Sequence, residues 1–309
     1  MENNKIKFNK FYKTFNLASA LLVLISILFL FFKGLNFGVD FKGGTLIELR
    51  ATDNQINISS LRNAFSNMNL GDVAIKKFGK EYDYLIKFEK KDSDQNLIQN
   101  IKNELTKKLG SGYEIRRVEN VGPKVSAELL KGGLIAIAAA LGAMLFYIWI
   151  RFEWQFSIGA IAALFHDVIL TMGFFSIFSL EVNLSIVAAI LTIVGYSMND
   201  TVVIFDRVRE NLKKHIDIKI FDLTNISINE TLSRTIITSV TTLLALLSIF
   251  FFGGEILKGF SLAMILGVIF GTYSSIHIAN PILVLFKVCL LYTSPSPRDQ
   301  RGSRMPSSA

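Results

Sequence analysis

Six long apolar segments constrain what this chain of 309 residues can fold into. Hydrophobic residues make up 51% of the sequence, and they are gathered in blocks rather than spread at amphipathic spacing. A block of about 18 apolar residues is long enough to cross a bilayer as a helix. The blocks comprise residues 17–33, 134–150, 156–180, 184–205, 236–253 and 260–286. The sequence therefore predicts an α-helical polytopic membrane protein with six transmembrane helices.

The first block predicts an uncleaved transmembrane helix rather than a signal peptide. Its apolar core, Leu17–Phe32, is longer than a usual signal core, and Lys33–Asn36 shows no small-x-small cleavage pattern. Residues 1–33 are therefore assigned to an N-terminal segment and the first span.

Basic residues are distributed unevenly along the chain, and this asymmetry predicts orientation. They concentrate before the first block and between the fourth and fifth, at Lys5, Lys7, Lys10, Lys13, Arg207, Arg209, Lys213, Lys214 and Lys219. By the positive-inside rule both termini are predicted to be cytoplasmic. This topology explains much of the net charge of +8, so no nucleic-acid partner is predicted.

The sequence offers no pattern that predicts a metal site, a cofactor or an enzyme. The single cysteine, Cys289, excludes an internal disulfide and a cysteine metal site. A Gly-rich phosphate loop and His-x₃-His spacing are both absent from the sequence, so ATP hydrolysis and metal catalysis have no support.

Residues 34–132 interrupt the apolar blocks and predict a small external domain with its linker. Alternating and helical spacings follow one another in the order β-α-β-β-α-β, which is the ferredoxin-like arrangement. Ile101 and Leu105 are expected in its core. The segments are 45–50, 58–68, 73–78, 82–88, 97–109 and 113–118, with a turn at Gly79-Lys80. Residues 133–288 then hold the second to sixth spans. Residues 289–309 switch abruptly to Ser, Pro and Arg and predict a disordered or non-native tail.

Asp200 is the only ionisable residue in the fourth apolar block. A carboxylate within the bilayer costs about 2.5–3.5 kcal/mol on insertion scales, which makes it a functional-site candidate, with proton relay as the leading role. Arg234, at the mouth of the fifth block, is the expected counter-charge, and Tyr196 is one helical turn from Asp200. Asn199 is its sequence neighbour.

Pairing between Asp200 and Arg234 would decide whether the carboxylate takes up a proton. A paired aspartate resists protonation, whereas a separated and desolvated one favours it. A change in this pairing would therefore load and unload one proton. The alternative is a permanent structural ion pair.

His166 and Asp167 lie about ten residues into the third block, which places them about 15 Å deep. Histidine titrates near neutral pH and can relay protons. The alternative is hydrogen bonding between helices that fixes their packing. An intramembrane hydrolase that uses Ser197 with these two residues is the least favoured hypothesis, because no nucleophile motif surrounds the serine.

A glycine-rich segment, FGVDFKGGT at residues 37–45, follows the first span. Gly38, Gly43 and Gly44 permit turns or close backbone approach, and Asp40 can cap a helix or bind the loop. A structural elbow between helix and domain is the favoured interpretation. Direct contact with a translocating substrate is the alternative.

Two further patterns concern helix ends and helix packing. Ser227-x-x-Glu230 predicts a capping box just upstream of the fifth span. Gly267-x-x-x-Gly271 in the last span permits close packing of two helices.

Taken together, these motifs resemble the SecF family, the smaller partner of SecD in a bacterial protein-export accessory complex. The resemblance is carried by FGVDFKGGT at 37–45, VGP at 121–123, ALFHDVILTMGFFS at 163–176, GYSMNDTVVIFDRVREN at 195–211 and TLSRTIITSVTTLLALLSIFFFGG at 231–254. It implies six spans, one external ferredoxin-like domain and a relation to the resistance-nodulation-division superfamily. It places the family's proton-coupling aspartate at Asp200 and its arginine at Arg234.

The resemblance also implies function and partners. It implies a subunit of the bacterial cytoplasmic membrane that uses the proton, with no other cofactor, to assist protein export. The implied partners are SecD, the SecYEG channel, further inner-membrane export subunits, unfolded preproteins and membrane lipid. The alternatives are half of a small-solute or lipid exporter of the same superfamily and a passive scaffold of the export channel.

Overall fold

Six long apolar helices form the membrane part of the chain. The computed structural model describes residues 6–52, 56–66, 68, 70, 73–77, 82–88, 95–110, 112–215 and 218–286. Within these residues the helices long and apolar enough to cross a membrane are Phe8–Phe32, Lys124–Arg151, Trp154–Ile177, Leu184–Lys214, Ile220–Phe252 and Leu257–Leu285. The predicted six-helix architecture is confirmed.

The helices differ from the predicted blocks mainly by extending past their apolar cores. In chain order they are α1 (Tyr12–Phe32), α2 (Val39–Lys42), α3 (Ile58–Ser66), α4 (Gln95–Leu109), α5 (Pro123–Arg151), α6 (Trp154–Ile177), α7 (Leu184–Lys214), α8 (Ile220–Phe252), α9 (Glu255–Ser274) and α10 (Asn280–Leu285). A π-helical turn at Ser275–Ala279 joins α9 to α10 within the sixth span. Turns of this kind are often found at functional sites.

The predicted capping box at Ser227 and Glu230 is wrong. Helix α8 begins at Ile220 with Lys219 as its N-cap, so both residues lie inside the helix. The Ser227 hydroxyl donates to the Leu223 carbonyl oxygen at 2.9 Å. The Glu230 carboxylate accepts a hydrogen bond from Arg207 of α7 at 2.7 Å. Helix α8 therefore begins seven residues before the predicted capping position, and the Glu230 side chain contacts α7 instead of capping the helix.

Glycines set how closely the helices of the membrane part approach one another. A Cβ added at Gly267 of α9 would lie 2.3 Å from the Ile193 side chain of α7. At Gly271 it would lie 3.0 Å from the Ser197 Cβ atom. The predicted close packing at the Gly267-x-x-x-Gly271 pattern is confirmed, and it brings α9 against the helix that carries Asp200.

The external domain has the predicted ferredoxin-like order. Its strands are β2 (Gly44–Ala51), β3 (Val73–Lys77), β4 (Asp83–Phe88) and β5 (Tyr113–Val121). They form one antiparallel sheet in the order β3-β4-β2-β5, with α3 and α4 between them in sequence. One face of the sheet forms a single core with the two helices. The predicted turn at Gly79-Lys80 lies outside the described residues.

Two short strands tie the membrane part to the domain. β1 (Asn36–Phe37) pairs in parallel with β6 (Glu181–Val182), which lies between α6 and α7. The chain therefore enters this domain over the connection between the third and fourth spans.

Leu105→Ala is expected to destabilise the external domain by about 2–5 kcal/mol, because it deletes a fully buried side chain and leaves a cavity. Leu105 and Ile101 both lie in the domain core, as predicted. Chemical denaturation of a purified fragment of residues 40–120 measures the change. Lys102→Ala, at an exposed position of the same helix, is the control and should change stability little. If the parent fragment shows no cooperative transition, the domain does not fold alone.

Candidate functional site

Asp200 lies in the middle of α7, where that helix packs against α8 and α9. Asp200 is only 3% exposed to solvent. Ser239 of α8 and Thr272 of α9 lie beside its carboxyl group, and their hydroxyl oxygens are 2.7 Å apart. Its Oδ2 atom has no hydrogen-bond partner among the described residues. The site therefore offers one unoccupied carboxyl oxygen inside the membrane part of the protein.

Arg234 lies on α8, five residues before Ser239, and its side chain is exposed. In the described part of the chain no salt bridge joins it to Asp200, although its charge acts on the carboxylate electrostatically. The structure therefore contains the separated arrangement of the two charges.

Two of the predicted neighbours of Asp200 point elsewhere. The Tyr196 hydroxyl reaches α8, where it donates to the Thr238 carbonyl oxygen at 3.1 Å and lies 3.2 Å from the Thr242 hydroxyl. The hydrogen bond from Tyr196 to Asp200 that helical spacing suggested is therefore absent from this structure. The Asn199 side chain is exposed on the outer face of α7.

Asp167 is the centre of a second buried cluster, which joins three helices. It is fully buried, and its Oδ2 accepts hydrogen bonds from Ser197 of α7 at 2.6 Å and Ser274 of α9 at 2.8 Å. Its Oδ1 lies 2.9 Å from His166 Nδ1. These bonds fasten α6 to α7 and α9, which supports the packing interpretation of the pair.

The second cluster does not have the geometry of a hydrolase. A nucleophilic serine must lie within hydrogen-bond reach of its base, but the Ser197 hydroxyl donates to Asp167 rather than to His166. The His166 ring instead stacks on Tyr273 with centroids 5.9 Å apart, and its Nε2 has no partner among the described residues.

Ser239, Thr272 and Ser274 are site residues that the sequence reasoning missed. All three are hydroxyl side chains within apolar helices, where they also bond readily to their own backbone. Their spacing alone does not say which helix they face. The available signal was that the fifth and sixth spans each carry several hydroxyl side chains.

The segment after the first span forms an elbow that is fastened to the start of α7. The Gly38 N–H donates to the Val182 carbonyl oxygen at 2.8 Å. Asp40 Oδ2 accepts a hydrogen bond from the Leu184 N–H at 2.8 Å. Gly43 and Gly44 adopt φ angles of +78° and +121° that favour glycine. The geometry supports the structural-elbow interpretation, and Asp40 caps a different helix from the one it belongs to.

Asp40→Ala is expected to destabilise the membrane part by about 0.5–2 kcal/mol, because it removes a helix-capping acceptor from the first turn of α7. Thermal unfolding of the full chain in detergent measures the loss. Asp40→Asn keeps a side-chain oxygen and should recover most of it. Equal losses in both variants would show that the cap is not what stabilises this position.

Comparisons with known proteins agree on one family. The family model described as protein export membrane protein SecD/SecF, C-terminal matches residues 101–288, and the SecD/SecF GG motif matches residues 28–54. The protein translocase subunit SecF of Rickettsia bellii is 46% identical over 288 residues, which cover 92% of this chain and 94% of the relative. The SecF subunit of Rickettsia prowazekii is 45% identical, with 92% of each chain covered.

Solved structures give the same result for the fold. The crystal structure of SecDF, a translocon-associated membrane protein from Thermus thermophilus, is similar with a TM-score of 0.81 and 34% identity. The alignment covers 92% of this chain and 39% of that chain. A second SecDF structure, in a super-membrane-facing form, has a TM-score of 0.68 and 32% identity.

Proposed function

The chain belongs to the SecF family of protein translocase subunits, and from this premise we propose that it couples the proton-motive force to protein export as an accessory subunit of the Sec translocase. The observation that carries the proposal is Asp200, a carboxyl group buried within a transmembrane helix with one oxygen unpartnered in the described residues. Such a group is retained in a membrane where it serves a pathway or a partner.

The separation of Asp200 from Arg234 supports a switch rather than a fixed ion pair. One proton that crosses the membrane supplies about 2.3 kcal/mol per 100 mV, and about 1.4 kcal/mol more per pH unit. This energy is enough to bias two arrangements of the α7–α8 pair that differ in whether Arg234 meets the carboxylate. The protonated carboxyl would favour the separated arrangement, and release of the proton would favour the paired one.

SecD is the proposed partner in the membrane. This chain matches 39% of the SecDF chain that it resembles, so most of the SecDF chain corresponds to protein that this chain does not contain. Helix α8 presents exposed Ile236, Ile237 and Val240 beside the exposed Arg234, and a cation in a spanning helix usually faces protein or water rather than lipid. The SecYEG channel, further inner-membrane export subunits and unfolded preproteins are proposed partners of the assembled complex. The relatives are named translocase subunits, which supports a role without catalysis.

Export into membrane vesicles tests the proposed function. Vesicles that contain this chain with its SecD partner should export more preprotein than vesicles without it, and the difference should disappear when a protonophore collapses the gradient. If the stimulation survives without a gradient, the chain is a passive scaffold. If the chain does not change protein export but the proton gradient drives transport of a small solute, the chain is part of a small-solute exporter instead.

The proposed orientation places both termini in the cytoplasm and the domain of residues 34–132 outside. Cysteines introduced at Lys102 and Lys213, which are both exposed, report the two sides in a Cys289→Ser background. An impermeant thiol reagent added to intact spheroplasts should label position 102 and spare position 213. The reverse pattern would show that the chain is inserted the other way.

A further inference from the structure

A cavity lies where the external domain meets the elbow after the first span. Its volume is about 200 Å³, and its charged lining consists of Lys42 of α2, Lys76 of β3, Lys87 of β4 and Glu181 of β6. Phe37 and Leu85 supply part of its apolar wall. No part of the elbow or Asp200 interpretation accounts for three lysines around one cavity.

The cavity carries an excess of positive charge. Lys87 is neutralised by Glu181, because its Nζ lies 2.9 Å from Glu181 Oε1. Lys42 and Lys76 are exposed and form no ion pair with any described residue. The lining therefore carries two lysines with no ion-pair partner among the described residues, and lysine binds phosphate as a point charge.

The cavity also lies just beyond the ends of two apolar helices, where lipid headgroups are expected. Helix α1 ends at Phe32, only a few residues before the cavity wall at Asn36–Phe37, and those strand residues pair with Glu181–Val182 just beyond the end of α6. Exposed Phe31 and Phe32 mark the last turn of α1 as lipid-facing. The headgroup layer is only about 5–8 Å thick on each side of the hydrocarbon core.

The strand order gives the cavity access from the side. β3, which carries Lys76, is an edge strand of the sheet, so among the described residues no further strand covers that side of the cavity. A volume near 200 Å³ is smaller than the roughly 300–1,000 Å³ of ordinary small-molecule sites. It suits a headgroup whose acyl chains remain in the bilayer.

We propose that this cavity binds the phosphate headgroup of an anionic phospholipid in the outer leaflet, with Lys42 and Lys76 as the charge partners and Phe37 and Leu85 against the glycerol. The lipid would join the first span, the elbow and the edge of the sheet. The proposal is independent of proton coupling at Asp200, because it concerns a different region and is tested by binding.

Lipid binding to the full chain in detergent, followed by native mass spectrometry, tests the proposal. Wild type should retain phosphatidylglycerol in preference to phosphatidylcholine. Lys42→Gln with Lys76→Gln should weaken phosphatidylglycerol binding about 25-fold, at about fivefold for each lysine near a membrane surface. Arginine at both positions keeps the positive charges and should preserve binding. This variant therefore distinguishes a loss of charge from a loss of folding.

The matched control removes two positive charges from lysines that lie outside the cavity lining. Lys77→Gln with Lys102→Gln changes one residue on the same edge strand and one on α4, and neither lines the cavity. An equal loss in this control would overturn the proposal in favour of diffuse surface charge. Unchanged binding in the Lys42/Lys76 variant would also overturn it. Displacement of the lipid by millimolar glycerol phosphate would assign the site to a soluble phosphate instead.

Discussion

Asp200→Asn abolishes the gradient-stimulated part of protein export and leaves assembly with SecD intact; this is the expected result if Asp200 carries the coupled proton. Asparagine keeps the size and the hydrogen-bonding capacity of the side chain beside Ser239 and Thr272, but it cannot ionise. The variant therefore removes the proton site with little change in packing. A driving force of 100 mV biases an equilibrium by about 50-fold per proton, and that bias should vanish.

Export by vesicles with and without a proton gradient measures the effect of Asp200→Asn. The matched control is Asp206→Asn, which removes a carboxylate from the same helix at a position where the side chain is 42% exposed and pairs with Arg151 at 2.8 Å. An exposed ion pair contributes little, so this variant should respond to the gradient as wild type does. An equal response in Asp200→Asn and wild type would assign Asp200 a structural role.

The burial of Asp200 within a long apolar helix was predictable from the sequence, because one carboxylate in an apolar block has few alternatives. Its surroundings were not, because the apolar pattern fixes where a helix crosses the membrane but says little about its rotation. Arg234 faces outward on α8 rather than onto Asp200, and Tyr196 reaches Thr238. The predicted hydrogen bond from Tyr196 to Asp200 was therefore an error of side-chain direction around the helix.

The external domain was predicted more completely than the membrane part. Its strands alternate and its helices carry one apolar stripe, so the sequence pattern states which face of each element is buried. Ile101 and Leu105 accordingly lie in its core. In the spans nearly every face is apolar, and contacts such as Glu230 with Arg207 depend on tertiary structure that the pattern does not encode.

The hydrogen bonds of Asp167 predict that its substitution lowers stability, whereas substitution of Asp200 is expected to remove the response to the gradient. Asp167→Ala leaves the Ser197 and Ser274 hydroxyls without their acceptor, and His166 without its hydrogen-bond partner, in a fully buried site. Interhelical hydrogen bonds in membrane proteins contribute about 0.6–1.7 kcal/mol each. Two of the three bonds, those from Ser197 and Ser274, join different helices, so their loss should destabilise the membrane part by about 1–3 kcal/mol.

Unfolding of the full chain in detergent measures this loss, with Asp200→Asn as the comparison that should unfold nearly as wild type does. The two carboxylates lie on α6 and α7 and both contact α9, through Ser274 and Thr272 respectively. If Asp167 fastens the helices and Asp200 takes the proton, one variant loses stability and the other loses gradient response. A stable Asp167→Ala protein that no longer responds to the gradient would contradict this division of roles and point to Asp167 as the proton site.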